Sequence, residues 1–511
     1  MSCHQSECTS LCSVYCIPIR SKPPKSPCPD LLLNNLTPTD LQLHQVRKSI
    51  QGADEDIVRL QDAINRLSSQ LGALKSFVGR HRGVTSAVRQ LPNEILLEIF
   101  THSINTELPS SSKNALSGII RVCARWRAVA LASPSLWRHF VFDRSLSYLQ
   151  SGEKAKLLRQ TSLQLQRSRQ TPLSVHLTGY RIEQELLDTL LARSSRWQSA
   201  TLRIAPSDYD QLFTSRADFT ILKELTLSFN GDSYYGDATG PIQSLPARDA
   251  TGFVQSLPAL VDFTLDANFG HIPRGFESLW ARLLACTLVQ CHLEDILPIL
   301  PLFSPETRVS LVGCDGGDDG HLAPGPLAIS TLSLNSCHNN FFDGFLRVAA
   351  IEAPRLKKFV MSKCYQDQSL PSIATFLRES SCTLTHLALD VRYATLRELL
   401  YLLALPHTRH ICALDIDFGC TPSAPIINAL ATRPARHDIV PNLRSFTLRN
   451  CSSVLEDIDA GLLALHARRR PILQQLWVQR RAGDLPLSQF ALQALKSDGL
   501  EVVIFEHLDY W

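Results

Sequence analysis

Between Leu43 and Val78 the apolar side chains fall at Leu43, Val46, Ile50, Ala53, Ile57, Leu60, Ile64, Leu67, Leu71, Leu74 and Val78, in unbroken alternating steps of three and four. This 3.5-residue period predicts a coiled-coil helix over residues 40–80. One seam position holds Leu43, Ile50, Ile57, Ile64, Leu71 and Val78, and the other holds Val46, Ala53, Leu60, Leu67 and Leu74. Mostly β-branched residues at the first and leucine at the second favour a parallel pair, so a homodimer is one expectation. A long amphipathic helix folded back onto its own chain fits the same period. Gly52 and Gly72, each weakening a helix by about 1 kcal/mol, keep both arrangements open.

Two shorter amphipathic segments follow. In Leu91-Pro92-Asn93-Glu94-Ile95-Leu96-Leu97-Glu98-Ile99-Phe100, Pro92 suits a first helical turn, and Ile95, Leu96, Ile99 and Phe100 are expected to form one apolar face. In the second segment Ile119, Val122, Cys123, Trp126 and Val129 recur at helical steps, with Arg121, Arg125 and Arg127 as its polar positions, and the helix should stop before Pro134. Thr101–Ser112 reads as a long link between the two. Helices spanning about 50 residues cannot bury all these groups among themselves. Apolar surface is left over for a partner or for other parts of the chain.

Downstream of about residue 170 the unit Leu-x-x-Leu-x-Leu-x-x-Asn/Cys recurs, the signature of a leucine-rich repeat. Clear copies begin at Leu222, Leu260, Leu283, Ile329, Leu356 and Leu443. Weaker ones include Leu384, Ile411, Leu473 and a last copy at Leu500, Val503 and Phe505. Helix-like stretches such as Glu185–Leu191 lie between them. The expected fold is α/β: an N-terminal coiled-coil helix, a small α-helical domain over 88–143, and a C-terminal leucine-rich-repeat-like α/β solenoid over 170–511. Strand alternation then assigns Asp390, Asp415, Asp417, Arg449, Trp477 and Gln479 to the open concave face, as the candidate substrate-binding group. Cys291, Cys314, Cys337, Cys364 and Cys451 fall at the repeat's Asn/Cys position and are read as structural thiols.

Composition narrows the function. Across 511 residues, 44% hydrophobic and 19% charged residues describe a folded, multi-domain or repeat protein, and a net charge of +3 gives no electrostatic reason to expect nucleic acid or an anionic membrane as partner. No signal peptide and no span of 18 apolar residues is found, so the expectation is a cytoplasmic or nuclear protein with its 15 cysteines reduced. Residues 1–39 are rich in Ser, Pro and Cys and read as a disordered tail. Cys3, Cys8, Cys12, Cys16 and Cys28 with His4 lack Cys-x-x-Cys pairing and a second His cluster, so no metal is expected there. The loop Gly313–His321 is acidic but lacks calcium-loop spacing and is read as an inter-repeat turn. The run Arg468-Arg469-Arg470-Pro471 is read as a solvated helix end. Hydrolase and nucleotide-binding signatures are absent, so neither an enzyme nor a cofactor is expected.

Leu-Pro-x-Glu-Ile-Leu-x-x-Ile-Phe at 91–100, then Val-Cys-x-x-Trp-Arg at 122–127 and Ser-Pro-x-Leu-Trp at 133–137, resembles the motif of the F-box proteins, and in particular a large fungal family with a heptad helix ahead of the box and a degenerate leucine-rich array behind it. The resemblance implies docking on the Skp-type adaptor of a cullin-RING ubiquitin ligase. By that resemblance Leu91, Pro92, Ile95, Leu96, Ile119, Val122 and Trp126 carry the contact, and the array holds an unknown protein substrate. A binding scaffold unconnected to ubiquitin, with the box packed within the chain, is the alternative.

Overall fold

The computed structural model describes residues 24–105, 109–142, 150–178, 184–203, 212, 217–228, 250–268, 271–316, 327–337, 341, 344–345, 353–363, 369–392, 394–419, 423–432, 439–450, 455–479 and 487–505. The chain divides into two compact units, Met1–Ile95 and Leu96–Trp511.

In the first unit, helix α1 runs 45 residues from Asp40 to Val84, past the expected end at residue 80. Thr39 caps it reciprocally: its hydroxyl accepts from the Gln42 amide at 3.4 Å, and the Gln42 side-chain oxygen accepts from the Thr39 amide at 3.0 Å. Ile50, Ile57, Ile64, Leu67, Leu71 and Leu74 of the heptad are each more than half exposed. Residues 24–39, within the segment expected to be a disordered tail, carry a 3-10 turn at Pro29–Leu32. The fixed φ of Pro29 suits its first position, and Leu31 N donates to Cys28 O at 3.2 Å. Cys3, Cys8, Cys12, Cys16 and His4 lie outside the described residues.

Three short helices follow: α2 (Asn93–Asn105), α3 (Pro109–Val122) and α4 (Ala124–Ala132). They correct two expectations. The link read over Thr101–Ser112 is helical at both ends, with only residues 106–108 between α2 and α3, because Pro109 sits where a helix start tolerates proline. The second amphipathic stretch is two helices, since Cys123 takes an extended conformation and its sulfur accepts from the Trp126 amide at 3.4 Å, capping α4. Arg127 Nε donates to Ile120 O at 2.9 Å and satisfies a carbonyl of the last turn of α3.

A 3-10 turn at Pro134–Trp137 leads into the sheet. Among the described residues the sheet has 14 strands, every neighbouring pair is parallel, and spatial order equals sequence order. The strands are β1 (His139–Phe142), β2 (Leu173–Thr178), β3 (Trp197–Arg203), β4 (Glu224–Ser228), β5 (Asp262–Asp266), β6 (Ala285–Val289), β7 (Arg308–Val312), β8 (Thr331–Asn335), β9 (Lys358–Ser362), β10 (His386–Asp390), β11 (Ala413–Asp417), β12 (Ser445–Arg449), β13 (Gln475–Gln479) and β14 (Glu501–Phe505). Between them lie α5 (Ser151–Arg167), α6 (Gln184–Leu191), α7 (Thr251–Gln255), α8 (Glu277–Trp280), α9 (Leu293–Ile296), α10 (Ser369–Glu379), α11 (Leu396–Leu403), α12 (Ala424–Thr432), α13 (Leu455–Arg469) and α14 (Gln489–Ser497).

The leucine pattern explains this order. Second and fourth strand positions, such as Leu332 and Leu334 of β8, are buried and join the apolar faces of the helices in one continuous core from Phe140 to Val502. Strands then leave through a left-handed residue, with Gln290, Gly313, Ser336, Lys363 and Asn450 at φ between 49° and 58°. Cys291, Cys314 and Cys337 come next, buried, their thiols donating to nearby carbonyls such as Leu311 O at 3.4 Å from Cys337 Sγ. Burial pushes the Cys291 thiol up to about 12 and raises Cys286, which suits structural rather than reactive sulfur. Cys364 and Cys451 lie outside the described residues.

Two placements differ from the sequence reading. The sheet begins at His139, because β1, β2 and β3 form strands without the full leucine spacing. In β14 the register pairs Leu476 with Val502 and Val478 with Ile504, so Val503 and Phe505 face the opposite side from the one their place in the last repeat copy assigned. A shift of one residue exchanges the faces of a strand.

The join between helices and sheet is tied at several points. Trp137 is buried, its indole N–H donates to Ala130 O at 2.8 Å, and the Arg167 guanidinium lies 4.5 Å above its ring. Gln164 of α5 donates to His139 O at 2.7 Å. Arg138 Nε donates to His139 Nε2 at 2.9 Å, so this imidazole must be neutral there. Burial, with the Arg138 charge second, lowers the His139 pKa to about 4. The unfolded chain therefore takes up this proton first. Stability is fully present above pH 6.5 and is lost as pH falls from 6.5 toward 4. Denaturant midpoints measured from pH 7 to pH 5 should fall less steeply in His139→Gln, which keeps an acceptor and does not titrate; equal slopes would refute this role.

Candidate functional site

The box carries two apolar stripes where the sequence suggested one face. Leu96, Phe100 and Ile104 recur every four residues along α2 and are buried. Phe100 meets Trp126 at 4.9 Å between ring centroids, and Ile119 and Val129 are buried from the following helices. Each such side chain contributes about 1.5–3 kcal/mol by leaving water. Ile95 and Ile99, one step around the same helix, point outward at 41% and 43% exposure. Of the residues assigned to adaptor contact, Leu96 and Ile119 thus belong to the interior, Trp126 and Leu91 are half-buried, and Pro92, Ile95 and Val122 are exposed. Ile99 and Leu131 are exposed as well; the helical period gives both, once the inward stripe is known.

On the sheet, the six residues assigned to the open face lie on four adjacent strands, β10 to β13, and on one side. The register aligns Asp390 with Asp417 and Asp417 with Arg449 in one row, and Asp415 with Thr447 and Thr447 with Trp477 in another. Gln479 aligns with Phe505, a residue the sequence reading had turned inward. The Phe505 ring lies 5.7 Å beneath the Arg449 guanidinium and 6.4 Å from Trp477.

These groups are strongly engaged with one another. Arg449 donates to both oxygens of Asp415 at 2.9–3.1 Å, the two-pronged geometry that suits guanidinium and carboxylate. Burial nevertheless pushes the Asp415 carboxyl above its usual range, and the hydrogen bonds and charge of Arg449 offset only part of that. Asp390, also raised by burial, accepts from the backbone of Lys363 and Arg392 and from the Arg392 guanidinium, at 2.9 Å for the closest pair. Gly419 makes this contact fit: a Cβ there would lie 2.0 Å from Arg392 Cγ, and its φ is +54°. Asp417 accepts from Asn450 Nδ2 at 2.8 Å and from the Gly419 amide. Asp415, Asp417, Trp477 and Gln479 stay partly open, while Asp390 and Arg449 are buried.

The run Arg468–Arg470 corrects another expectation. Arg469 is buried and donates to Val440 O and Ile439 O, both at 2.6 Å, Arg468 donates to Ala431 O at 2.9 Å, and Arg470 pairs with Asp498. Arg468 and Arg469 thus bind carbonyls of the neighbouring repeat, while Arg470 stays exposed as expected. Among the described residues, His271, Glu294 and Asp295 bring possible metal ligands within 4.8 Å of one another; His271 Nδ1 already meets Asp295 Oδ2 at 3.1 Å. No helix of the described residues is long and apolar enough to cross a membrane.

Helices α2 to α4 and the strand they lead into define a known domain class: residues 88–143 match the F-box-like family model. Chains with this domain are typically non-catalytic adaptors. No curated protein matches the chain.

Arg449→Ala should destabilise the fold by about 3 kcal/mol, since it leaves Asp415 half-buried without its counter-charge. Thermal or denaturant unfolding checks this, and a loss below about 1 kcal/mol would mean that the pair is effectively solvent-screened.

Proposed function

We propose that the chain is the substrate-recognition subunit of an SCF-type (Skp/cullin/F-box) ubiquitin ligase. The F-box holds a Skp-type adaptor, and the parallel strand array acts as a leucine-rich-repeat-like solenoid that holds a protein target. The observation that carries the reading is the F-box-like domain at 88–143 together with the apolar side chains it leaves in water. Large apolar groups exposed on a small helical domain are what a protein partner buries. The docking residues are Leu91, Pro92, Ile95, Ile99, Val122 and Leu131, with Leu96, Ile119 and Trp126 holding the helices in shape beneath them. Target recognition is assigned to Asp415, Asp417, Trp477 and Gln479, with Asp390, Arg449 and Phe505 fixing their placement. The chain performs no bond chemistry in this role; it raises the local concentration of its target near the transfer machinery. The site of action is the cytoplasm or nucleus.

Co-purification with a Skp-type adaptor tests the reading. Ile99→Asp with Val122→Asp should weaken retention at least about tenfold, because each carboxylate would be buried against an apolar partner surface. The melting temperature should stay within a few degrees of wild type, as both side chains are exposed. Leu96→Ala should show the reverse emphasis, a loss of about 2–5 kcal/mol in stability. A wild-type chain that retains no adaptor would leave the array as a binding scaffold unconnected to ubiquitin.

A further inference from the structure

We infer that α1 pairs two copies of this chain in parallel, in register, through the seam Leu43, Ile50, Ile57, Ile64, Leu71 and Val78 with Val46, Ala53, Leu60, Leu67 and Leu74. This goes beyond the adaptor reading and does not rest on it.

Three observations carry it. The structure makes the heptad one unbroken, capped helix from Asp40 to Val84, with six of its seam side chains more than half exposed. Such a seam is what knobs-into-holes packing covers. Second, the glycines stand clear of it. With Leu43 at the first seam position, Gly52, Gly72 and Gly79 fall on the flank away from the partner, and a Cβ built on any of them meets nothing within 4 Å. They lower helix propensity without opening a gap in the seam.

Third, the flanking charges select the orientation. A parallel in-register pair brings Gln42 to Arg47, Ser49 to Asp54, Asp56 to Gln61, Ala63 to Ser68, Gln70 to Lys75 and Phe77 to Arg82, and no like charges meet. An antiparallel pair of full overlap sets Arg47 against Lys75 twice, once at each end. Opposed like charges disfavour that arrangement. The residue types at the seam, mainly β-branched at the first position and leucine at the second, point to the same two-stranded parallel pair.

The consequence is geometric. Helix α1 is about 68 Å long at 1.5 Å per residue, and Leu91 follows its end by seven residues. In a parallel pair both chains leave the helices at the same end. Two boxes are thereby linked in one particle, and so are two arrays, which makes engagement of a repeated or dimeric target bivalent.

The test uses the full chain. Light-scattering mass at about 10 µM and physiological salt should give a dimer. Ile57→Asp with Leu60→Asp should give a monomer that keeps its adaptor retention, whereas Val58→Asp, an equally exposed apolar residue outside the seam, should leave the dimer intact. Gly52→Ala with Gly72→Ala should let the dimer persist to lower concentrations on dilution. Under mild oxidation Ile50→Cys alone should add a disulfide-linked dimer on a non-reducing gel. A wild-type monomer, the helix folded onto its own chain included, overturns the inference. So does crosslinking of Ile50→Cys only when mixed with Leu74→Cys, the antiparallel signature.

Discussion

A parallel sheet built in sequence order must begin somewhere, and its first strand leaves an apolar face with no preceding repeat to cover it. Here the box supplies that beginning. The segment ending in Trp137 runs without interruption into β1, Trp137 is held between the Ala130 carbonyl and the Arg167 guanidinium, and β1 pairs with β2 over four residues. The domain that matches the F-box-like family therefore ends inside the array's own sheet. The placement of the outward-facing groups on α2, α3 and α4 relative to the strands follows from this join.

The division of labour within the box follows from helical geometry. Adjacent residues differ by about 100° around a helix, so Leu96 and Ile95 cannot both face the interior. Packing of Phe100 on Trp126 settles which stripe turns inward, and the remaining stripe is left in water. On the sheet the same logic runs at period two. Inward leucines make the core, and the alternate residues make a surface whose charges are largely matched within it, with Arg449 against Asp415 and Arg392 against Asp390. Those pairs leave Trp477, Gln479 and Asp417 partly open on the same side of the sheet.

The sequence revealed long periods best. The heptad of α1 and the leucine spacing from Leu222 onward repeat often enough that single exceptions do not blur them. It was least informative where one residue decides between two outcomes. Cys123 caps α4 through sulfur, an unusual capping group, so the break between α3 and α4 left no signal. Glu501-Val502-Val503-Ile504-Phe505 is apolar at four consecutive positions, which removes the alternation that would have fixed its faces. The arginine run looked solvated because the carbonyls that Arg469 binds lie about 30 residues earlier in the chain and are brought near only by the fold. Asp390 and Arg449 were recognised as members of the face, but their burial depends on Gly419, Arg392 and Phe505, which come from other turns and strands.

In the proposed role the outward stripe of the box binds the adaptor and the strand face does not. Hydrogen exchange of the full chain, with and without a purified Skp-type adaptor, tests it most directly. New protection is expected only in peptides spanning residues 91–132, with peptides of β10 to β14 unchanged. Unchanged exchange in 91–132 at saturating adaptor, or protection appearing on β10 to β14 instead, would contradict it.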